Sequence, residues 1–336
     1  MIGQILLAAA GLVLLTFAAD HLVLGSSRIA TRLRISPVVV GVVIIGLGTS
    51  APEFLVSGVA AARGDTGIAL GNITGSNILN LTLILGVAAL IARLVVASTV
   101  IGREVPLAVA AVALFGLLAF VGLNLWAGIA LAVGTVAALW LLLRWAAQGR
   151  NAELAKEVAE YTDEYTDEDA DTSAESGAAP AAKPRLVFPT WFEPIRAVLG
   201  LAGVLAGAQL LVANASVIAE DLGVPQLIIG FTLVALGTSL PELVTTIQAM
   251  RRHESDLVVG NLFGSNLFNS FAGGAIIAFA APAGHNGTIG VAAIVVMILT
   301  GGLAWALLRS GLALTRVEGA VLLATYLPIV PLLLAG

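Results

Sequence analysis

Residues 48–53, GTSAPE, recur as residues 237–242, GTSLPE, and each copy places one glutamate in an otherwise apolar stretch. A second motif, GNITGSNILN at residues 71–80, recurs as GNLFGSNLFN at residues 260–269. One ungapped offset of 189 residues aligns both pairs, and 21 of the 61 positions in Asp20–Asn80 are identical in the second copy. A carboxylate in hydrocarbon is costly, so two of them at matched places of a duplicated unit indicate a functional site.

The composition is that of a membrane protein. The chain is 59% hydrophobic and 11% charged, with a mean hydropathy of +1.01, whereas a soluble domain carries about 25% charged residues. Its apolar residues fall into runs long enough to span a bilayer. The chain has no Cys, which excludes disulfides and thiolate metal sites. We therefore predict an all-α polytopic membrane protein.

Hydropathy predicts ten transmembrane helices. The first apolar run has no basic residue before it and continues past Asp20, so it is interpreted as a retained span and not as a signal peptide. One long connection, residues 147–192, separates a first five-helix half, residues 1–146, from a second, residues 193–336. Its acidic composition, rich in Ala, Ser and Pro, predicts a disordered cytoplasmic linker. The predicted spans lie near residues 2–25, 37–62, 67–91, 105–122, 124–146, 195–218, 226–250, 257–282, 288–308 and 317–335.

The basic residues predict the orientation. With ten spans, all of the 16 Lys and Arg residues except Arg63 fall on one side of the membrane. The positive-inside rule makes that side cytoplasmic, so both termini face outward from the cell inner (plasma) membrane. Five spans, an odd number, separate corresponding positions, which predicts two inverted-topology five-helix repeats. Asp20, Arg252 and Glu254 are predicted to be solvated residues at helix ends.

The first motif predicts a break in a helix lined by oxygen atoms. Pro52 has no N–H to donate to the carbonyl of Gly48, so the backbone there is expected to kink or unwind. Carbonyls freed at membrane depth need partners, and a cation is a suitable one. Thr49 and Ser50 add hydroxyl oxygens and Glu53 adds a carboxylate, the ligands that hard cations bind.

The second motif supplies more oxygen. Ser76 and Asn80 are four residues apart, so they share one face of a helix. Gly71 and Gly75 form a seam of small residues suited to close helix contact. The second half repeats these groups in Thr238, Ser239, Glu242, Gly260, Gly264, Ser265 and Asn269.

The charge of the assembled site indicates which ions it suits. Two carboxylates neutralise one divalent or two monovalent cations, which favours Ca²⁺ in competition with Na⁺. Mg²⁺ holds its water more tightly, and no His or Cys accompanies the motifs, so zinc and copper fit poorly. Any single Ser, Thr or Asn serves equally well as an interhelical hydrogen-bond partner, and that alternative stays open for each of them.

At these residues the sequence resembles the sodium/calcium exchangers of the cation/Ca²⁺ antiporter superfamily, especially the prokaryotic type without a large regulatory domain. The paired motifs, each present twice, carry the resemblance. It implies that Glu53 and Glu242 are the central ligands of Ca²⁺ and Na⁺, beside the amide pair Asn80 and Asn269. It further implies oxygen ligands from Thr49 and Thr238, flanking sodium ligands from Ser50, Ser76, Ser239 and Ser265, and backbone carbonyls from Gly46 and Ala235.

The resemblance also bears on the coupling ion. Potassium-dependent relatives have Asp at one central amide place, whereas Asn80 and Asn269 are both Asn here. Proton-coupled relatives carry Glu in the second motif, which here reads SNxxN. The resemblance therefore implies a secondary active antiporter that exchanges Na⁺ for Ca²⁺ by alternating access, with Na⁺ entry driving Ca²⁺ extrusion. A proton-coupled cation antiporter is the second interpretation and a cation channel the third.

An enzyme is the remaining alternative. An intramembrane serine hydrolase needs a buried His or Lys near its serine, but His21, His253 and His285 all fall near span ends. We expect a transporter with no cofactor. Its predicted partners are Ca²⁺, Na⁺ and the lipid bilayer, without nucleic acid and without a protein partner that the sequence identifies.

Overall fold

The computed structural model describes residues 2–167, 191–222, 235–282 and 288–335; for residues 98, 149–167, 220, 235 and 329–335 it describes the backbone alone. The first-half elements are α1 (Ile2–Leu33), α2 (Pro37–Val40), the π-helix π1 (Gly41–Gly46), α3 (Leu47–Thr49), α4 (Ala51–Ala62), α5 (Thr66–Leu79), π2 (Asn80–Ile84), α6 (Leu85–Ile91), β1 (Leu94–Val95), α7 (Ser98–Gly102), α8 (Glu104–Val121) and α9 (Leu125–Asp167). The second-half elements are α10 (Phe192–Asp221), α11 (Ala235–Thr238), α12 (Leu240–Arg251), α13 (Ser255–Phe268), π3 (Asn269–Gly273), α14 (Gly274–Ala280), α15 (Val291–Gly311), β2 (Ala313–Leu314) and α16 (Arg316–Ala335).

The helices are those of a membrane protein. Within the described residues, seven helices are long and apolar enough to cross a bilayer, or eight if the bent pair of residues 37–49 and 51–62 is one span. The predicted spans near residues 226–250 and 317–335 include residues outside the described ranges or described only as backbone, so the count of ten stays a prediction. The expected all-α class has one small departure, the antiparallel pairing of β1 with β2.

The first motif bends its helix where its proline predicts. The segments on either side of Ser50 meet at 43°, and Ser50 has φ −76° and ψ 2°, outside the helical region. Ser239 adopts nearly the same backbone, with φ −93° and ψ 7°. The π-helix π1 ends at Gly46, and the short helix α3 separates it from the bend at Ser50; nothing in the sequence pattern predicts π1.

The two halves repeat the same local backbone. α4, α5, π2 and α6 begin and end 189 residues before α12, α13, π3 and α14 respectively. The turn between α4 and α5 has Gly64 at φ 87°, and the matching turn has His253 at φ 60°. Positive φ is uncommon for a residue with a Cβ. The duplicated turn is therefore kept even where its glycine is replaced.

α1 and α10 pack closely through small residues. A Cβ on Gly207 would lie 2.5 Å from the backbone N of Leu15, and one on Gly200 would lie 2.6 Å from that of Leu22. As the contact positions rise along α1 they fall along α10, so the helices run antiparallel. Close backbone approach supplies van der Waals attraction where lipid gives no hydrophobic drive between helices.

One end of the bundle is tied by polar contacts across the two halves. Arg252 donates from Nε and Nη2 to the two carboxylate oxygens of Asp20, each at 2.7 Å, and Ser27 donates to Glu254. Asp20 and Arg252 keep about a third of their side-chain surface exposed, so the prediction of solvated helix ends missed the bonding and not the exposure. The partners lie more than 220 residues apart in sequence, so the hydropathy of one helix end cannot predict them.

The connection between the halves starts later than the composition predicts. α9 continues to Asp167, so residues 147–167 of the predicted linker are helical, whereas they were expected to be disordered. Ala, Glu and Lys are good helix formers and favour this continuation. Residues 168–190 of the predicted linker lie outside the described residues.

We expect Gly207→Ala to destabilise the protein by about 1–3 kcal/mol, the range for added volume in a packed interior. The new methyl would meet the backbone of Leu15 and Gly11, at 2.5 to 2.9 Å, and not the flexible end of a side chain. The measurement is the melting temperature of the purified protein in detergent. Gly302→Ala is the control, since its Cβ would meet nothing within 4 Å among the described residues. Equal melting temperatures for the two variants would contradict the tight packing of α1 on α10.

Candidate ion-binding site

Two fully buried glutamates stand just after the two motif bends. Glu53 is the third residue of α4 and Glu242 the third of α12, and both are 0% exposed. Each follows a proline, Pro52 or Pro241, whose missing N–H leaves the preceding turn open. A buried carboxylate costs several kcal/mol unless other groups compensate it. The surroundings of these two side chains therefore decide what the site does.

The Glu53 carboxylate is contacted from both halves of the chain. Its Oε1 accepts a hydrogen bond from Ser76 of its own half at 3.5 Å and from Ser239 of the other half at 3.2 Å. Thr238, beside Ser239, also lies close enough to interact with this carboxylate. The first glutamate is thus held partly by the motif of the second half.

The Glu242 carboxylate has the mirror arrangement. Its Oε1 accepts from Ser265 of its own half at 3.4 Å and from Ser50 of the other half at 3.3 Å, and Thr49 lies close enough to interact with it. These contacts are longer than the ~2.7–2.8 Å usual for hydroxyl donors. The hydroxyls are therefore weakly held, and their oxygens can turn by rotation about the side-chain bond.

Several buried polar atoms of the two glutamates and the two predicted central amides have no hydrogen-bond partner among the described residues. They include Oε2 of Glu53 and of Glu242, Oδ1 of Asn80, and both polar atoms of the Asn269 side chain. Asn80 and Asn269 open π2 and π3 and are at most 1% exposed. Buried polar groups are almost always paired, and an ion is one explanation where they are not.

Glycine lets a backbone carbonyl join this group. The Ser265 hydroxyl, which also reaches Glu242, lies 3.1 Å from the carbonyl of Gly46, so its one hydrogen is shared between the two acceptors. A Cβ on Gly46 would lie 2.9 Å from the backbone O of Asn261 and 2.9 Å from the backbone N of Ser265. Only glycine permits this approach of π1 to α13. Ala235, the predicted counterpart, opens α11 in the part described only as backbone.

The asparagines that open the second motifs were not predicted as site residues. Asn72 donates from Nδ2 to the backbone carbonyl of Glu53 at 3.3 Å and to Ser57 at 3.0 Å. It thereby fixes the helix that carries the carboxylate without touching the carboxylate itself. Asn72 recurs 189 residues later as Asn261, and this recurrence is the sequence signal that could have identified both. The recurrence does not show whether such a residue binds an ion or holds the backbone of the glutamate helix.

Asn261 plays the matching part and reaches further. Its Nδ2 lies 3.4 Å from the backbone carbonyl of Glu242 and 3.1 and 3.3 Å from the hydroxyls of Thr245 and Thr246, so its two hydrogens are shared among three acceptors. Its Oδ1 accepts from Thr49 of the first half at 3.3 Å. One amide thus joins the residue before the first bend to the second glutamate helix.

The structure brings most of the predicted residues together around the two carboxylates, and their role as ion ligands stays a prediction. Within the described part of the chain, no three His, Cys, Asp or Glu side chains cluster in a way that would hold a metal. The donors are two carboxylates, neutral amides, hydroxyls and one carbonyl, all oxygen. Such a set fits a hard cation such as Ca²⁺ or Na⁺.

Comparison with known proteins places the chain in a family. The family model described as sodium/calcium exchanger protein matches residues 3–145 and 194–334. The putative antiporter CaxA of Alkalimonas amylolytica is 38% identical over 329 residues, which cover 94% of each chain. The sodium/calcium exchanger MaX1 of Methanosarcina acetivorans is 31% identical over 274 residues, 78% of each chain.

The fold is that of a solved exchanger. A structure of the sodium-calcium exchanger NCX_Mj, soaked with Na⁺ and Sr²⁺, superposes with a TM-score of 0.80 at 27% sequence identity. The match covers 98% of this chain and 97% of that one.

We expect Glu53→Gln and Glu242→Gln each to abolish most of the thermal stabilisation that Ca²⁺ gives the wild type. A ligand at a hundred times its Kd stabilises the native state by about 2.7 kcal/mol, and each variant removes one of two charges facing the cation. The measurement is a Ca²⁺ titration of the melting temperature in detergent. Glu104→Gln is the control, because Glu104 is buried on α8, outside both motifs. A wild-type response in either Glu53→Gln or Glu242→Gln would show that the cation binds elsewhere.

Proposed function

Since the chain belongs to the sodium/calcium exchanger family, we propose that it exchanges Na⁺ for Ca²⁺ by alternating access, with Na⁺ entry driving Ca²⁺ extrusion. It is a transporter and not an enzyme, because its relatives are antiporters and exchangers. One relative is named a sodium/calcium exchanger and another only a putative antiporter. The family thus leaves the coupling ion open, and the residues of the site have to carry that part of the proposal.

The observation that carries the proposal is the crossed bonding of the two buried glutamates. Ser239 of the second half bonds Glu53, and Ser50 of the first half bonds Glu242. Neither half therefore completes its carboxylate environment alone. Any movement of one half against the other changes the ligands of both glutamates at once, which is what a single site exposed alternately to two sides requires.

The charge of the site explains why it exchanges one ion for the other and does not return empty. Two carboxylates inside the protein repel each other, and one Ca²⁺ or two Na⁺ neutralise them. Loaded with either, the site is close to neutral and its occlusion costs little. Without cations, occlusion would leave two uncompensated buried charges, at a cost of several kcal/mol each. Reorientation is therefore favoured only for the loaded site, which couples the two ions.

The two central amides support Na⁺ as the coupling ion. Asn80 and Asn269 are neutral and buried, so they offer oxygen to a cation without adding a titratable group. A third carboxylate at either place would call for another cation or a proton. In this proposal Glu53 and Glu242 bind both ions, and the hydroxyls of Ser50, Ser76, Ser239 and Ser265 help to bind Na⁺.

We further propose that the chain crosses the cell's inner membrane ten times as two inverted five-helix halves, with both termini outside. Contacts between segments assigned to the cytoplasmic side support this arrangement. Arg28 bonds Glu193 at 2.9 Å, Asp20 pairs with Arg252, and β1 pairs with β2. Six predicted spans separate β1 from β2, an even number that returns the chain to the same side.

We expect cysteines at two matched helix ends to be labelled from opposite sides. Ala62 ends α4, Arg251 ends α12, both are exposed, and they are 189 residues apart. The chain has no Cys of its own, so Ala62→Cys and Arg251→Cys give clean signals. An impermeant maleimide should label Ala62→Cys in intact cells and Arg251→Cys only after permeabilisation. Labelling of both variants from one side would rule out the inverted repeat.

We expect ⁴⁵Ca²⁺ uptake into Na⁺-loaded vesicles to depend on the outward Na⁺ gradient. The reason is that the site reorients only when Ca²⁺ or Na⁺ neutralises its carboxylates, so Ca²⁺ entry requires Na⁺ to leave. The measurement varies the Na⁺, K⁺ and pH gradients separately. Glu242→Gln, reconstituted to the same density, is the control for leak. Uptake that follows the pH gradient and ignores Na⁺ would assign the chain to proton-coupled antiport. Uptake that needs no counter-ion at all would indicate a channel.

A further inference from the structure

A chain of hydrogen bonds with a fixed direction ends at Asn80. Asn266 donates from Nδ2 to the backbone carbonyl of Asn77 at 2.8 Å, and its Oδ1 accepts from Nδ2 of Asn80 at 3.0 Å. All three residues are at most 1% exposed. The chain links π2 and the end of α5 with α13, across the two halves of the molecule.

The direction of this chain follows from its first member. A backbone carbonyl only accepts hydrogen bonds, so Asn266 must turn its amide nitrogen toward Asn77. The Asn266 oxygen then faces Asn80 and must receive a donor, so Asn80 turns its nitrogen toward Asn266. The one polar atom that Asn80 has left is Oδ1, which has no partner among the described residues. A cation binds that oxygen and is repelled by the amide N–H groups.

No described residue fixes the orientation of the other central amide, Asn269. Both polar atoms of Asn269 lack a partner among the described residues. The residue that matches Asn266 in the first half is Asn77, and its Nδ2 donates to Ser270 at 3.0 Å. Leu81 occupies the place that matches Ser270, so Asn266 meets no such competitor and stays free to orient Asn80.

We propose that Asn266 is a positioning residue that turns the amide oxygen of Asn80 toward the transported cation, while Asn269 is left free to rotate. The two central asparagines, identical in type and matched in sequence, therefore contribute unequally to ion binding. The inference rests on the proposed function, since it takes the cation to be the ligand of the Asn80 oxygen.

The alternative is that Asn266 is only an interhelical contact that holds α13 against π2. The two interpretations make different predictions once residue 80 no longer ends in one oxygen and one nitrogen. In an Asn80→Asp background both terminal atoms are oxygen, so there is no orientation left to fix. A positioning role then disappears, whereas a packing role persists.

The experiment measures equilibrium ⁴⁵Ca²⁺ binding to purified protein, and Na⁺-driven uptake in vesicles, for Asn266→Ala in both backgrounds. In the wild-type background we expect the Kd to rise roughly tenfold to a hundredfold, the usual effect of losing a residue that orients a metal ligand. In the Asn80→Asp background we expect Asn266→Ala to change the Kd by less than about twofold, since an amide relay has nothing left to orient. Asn266→Ser, too short to bridge both partners, is the second variant if Asn266→Ala does not fold.

Thr82→Val is the matched control. Thr82 is buried on π2 near Asn80, and among the described residues its hydroxyl bonds the carbonyl of Ile78 one turn earlier. It should leave the Kd near that of the wild type. An equal loss of affinity in both backgrounds would overturn the proposal in favour of packing. An unchanged Kd in a wild-type background that does bind Ca²⁺ would overturn it as well, and a wild type that neither binds nor transports Ca²⁺ would refute the proposed function itself.

Discussion

The repulsion between two carboxylates buried at membrane depth is the constraint on which the rest of the structure depends. Glu53 and Glu242 are both 0% exposed and within electrostatic reach of each other. A buried carboxylate is costly unless polar groups, a proton or a cation compensate its charge. The bends at Ser50 and Ser239 place hydroxyls beside both carboxylates. The polar interior is thus arranged around a charge that the protein alone does not neutralise.

The apolar framework makes this arrangement rigid enough to be specific. Glycines allow the backbones of packed helices to approach so closely that a side chain would not fit between them. A Cβ on Gly260, for example, would lie 2.5 Å from the carbonyl oxygen of Val38. Asn72 and Asn261 then hold the carbonyls of the two glutamates from neighbouring helices. Close packing and amide supports together set where the carboxylates stand. A loose bundle would let the two carboxylates separate and hydrate.

The two halves are alike in backbone and unlike in detail. The exchange of Leu81 for Ser270 redirects one amide, so Asn77 bonds Ser270 while Asn266 bonds Asn80. The same kind of divergence puts His253 where the first copy has Gly64, without changing the turn. If the duplication is inverted, as we propose, it gives a site two equivalent sides, and substitutions of this kind make those sides chemically different. A difference between outward-facing and inward-facing ion binding requires such asymmetry.

The sequence by itself determined the membrane class, the duplication, the bends at the prolines and the family, which the matches over residues 3–145 and 194–334 confirm. These follow from composition, self-similarity and the missing N–H of proline, all of which are local or repeated. Only the tertiary structure decided that each glutamate is bonded by the serine of the opposite half, that Arg252 pairs with Asp20, and that Asn72 and Asn261 are supports. The physical reason is that these contacts join residues far apart in the chain, and a hydroxyl or amide has the same local pattern whether it binds an ion, a carboxylate or a neighbouring helix.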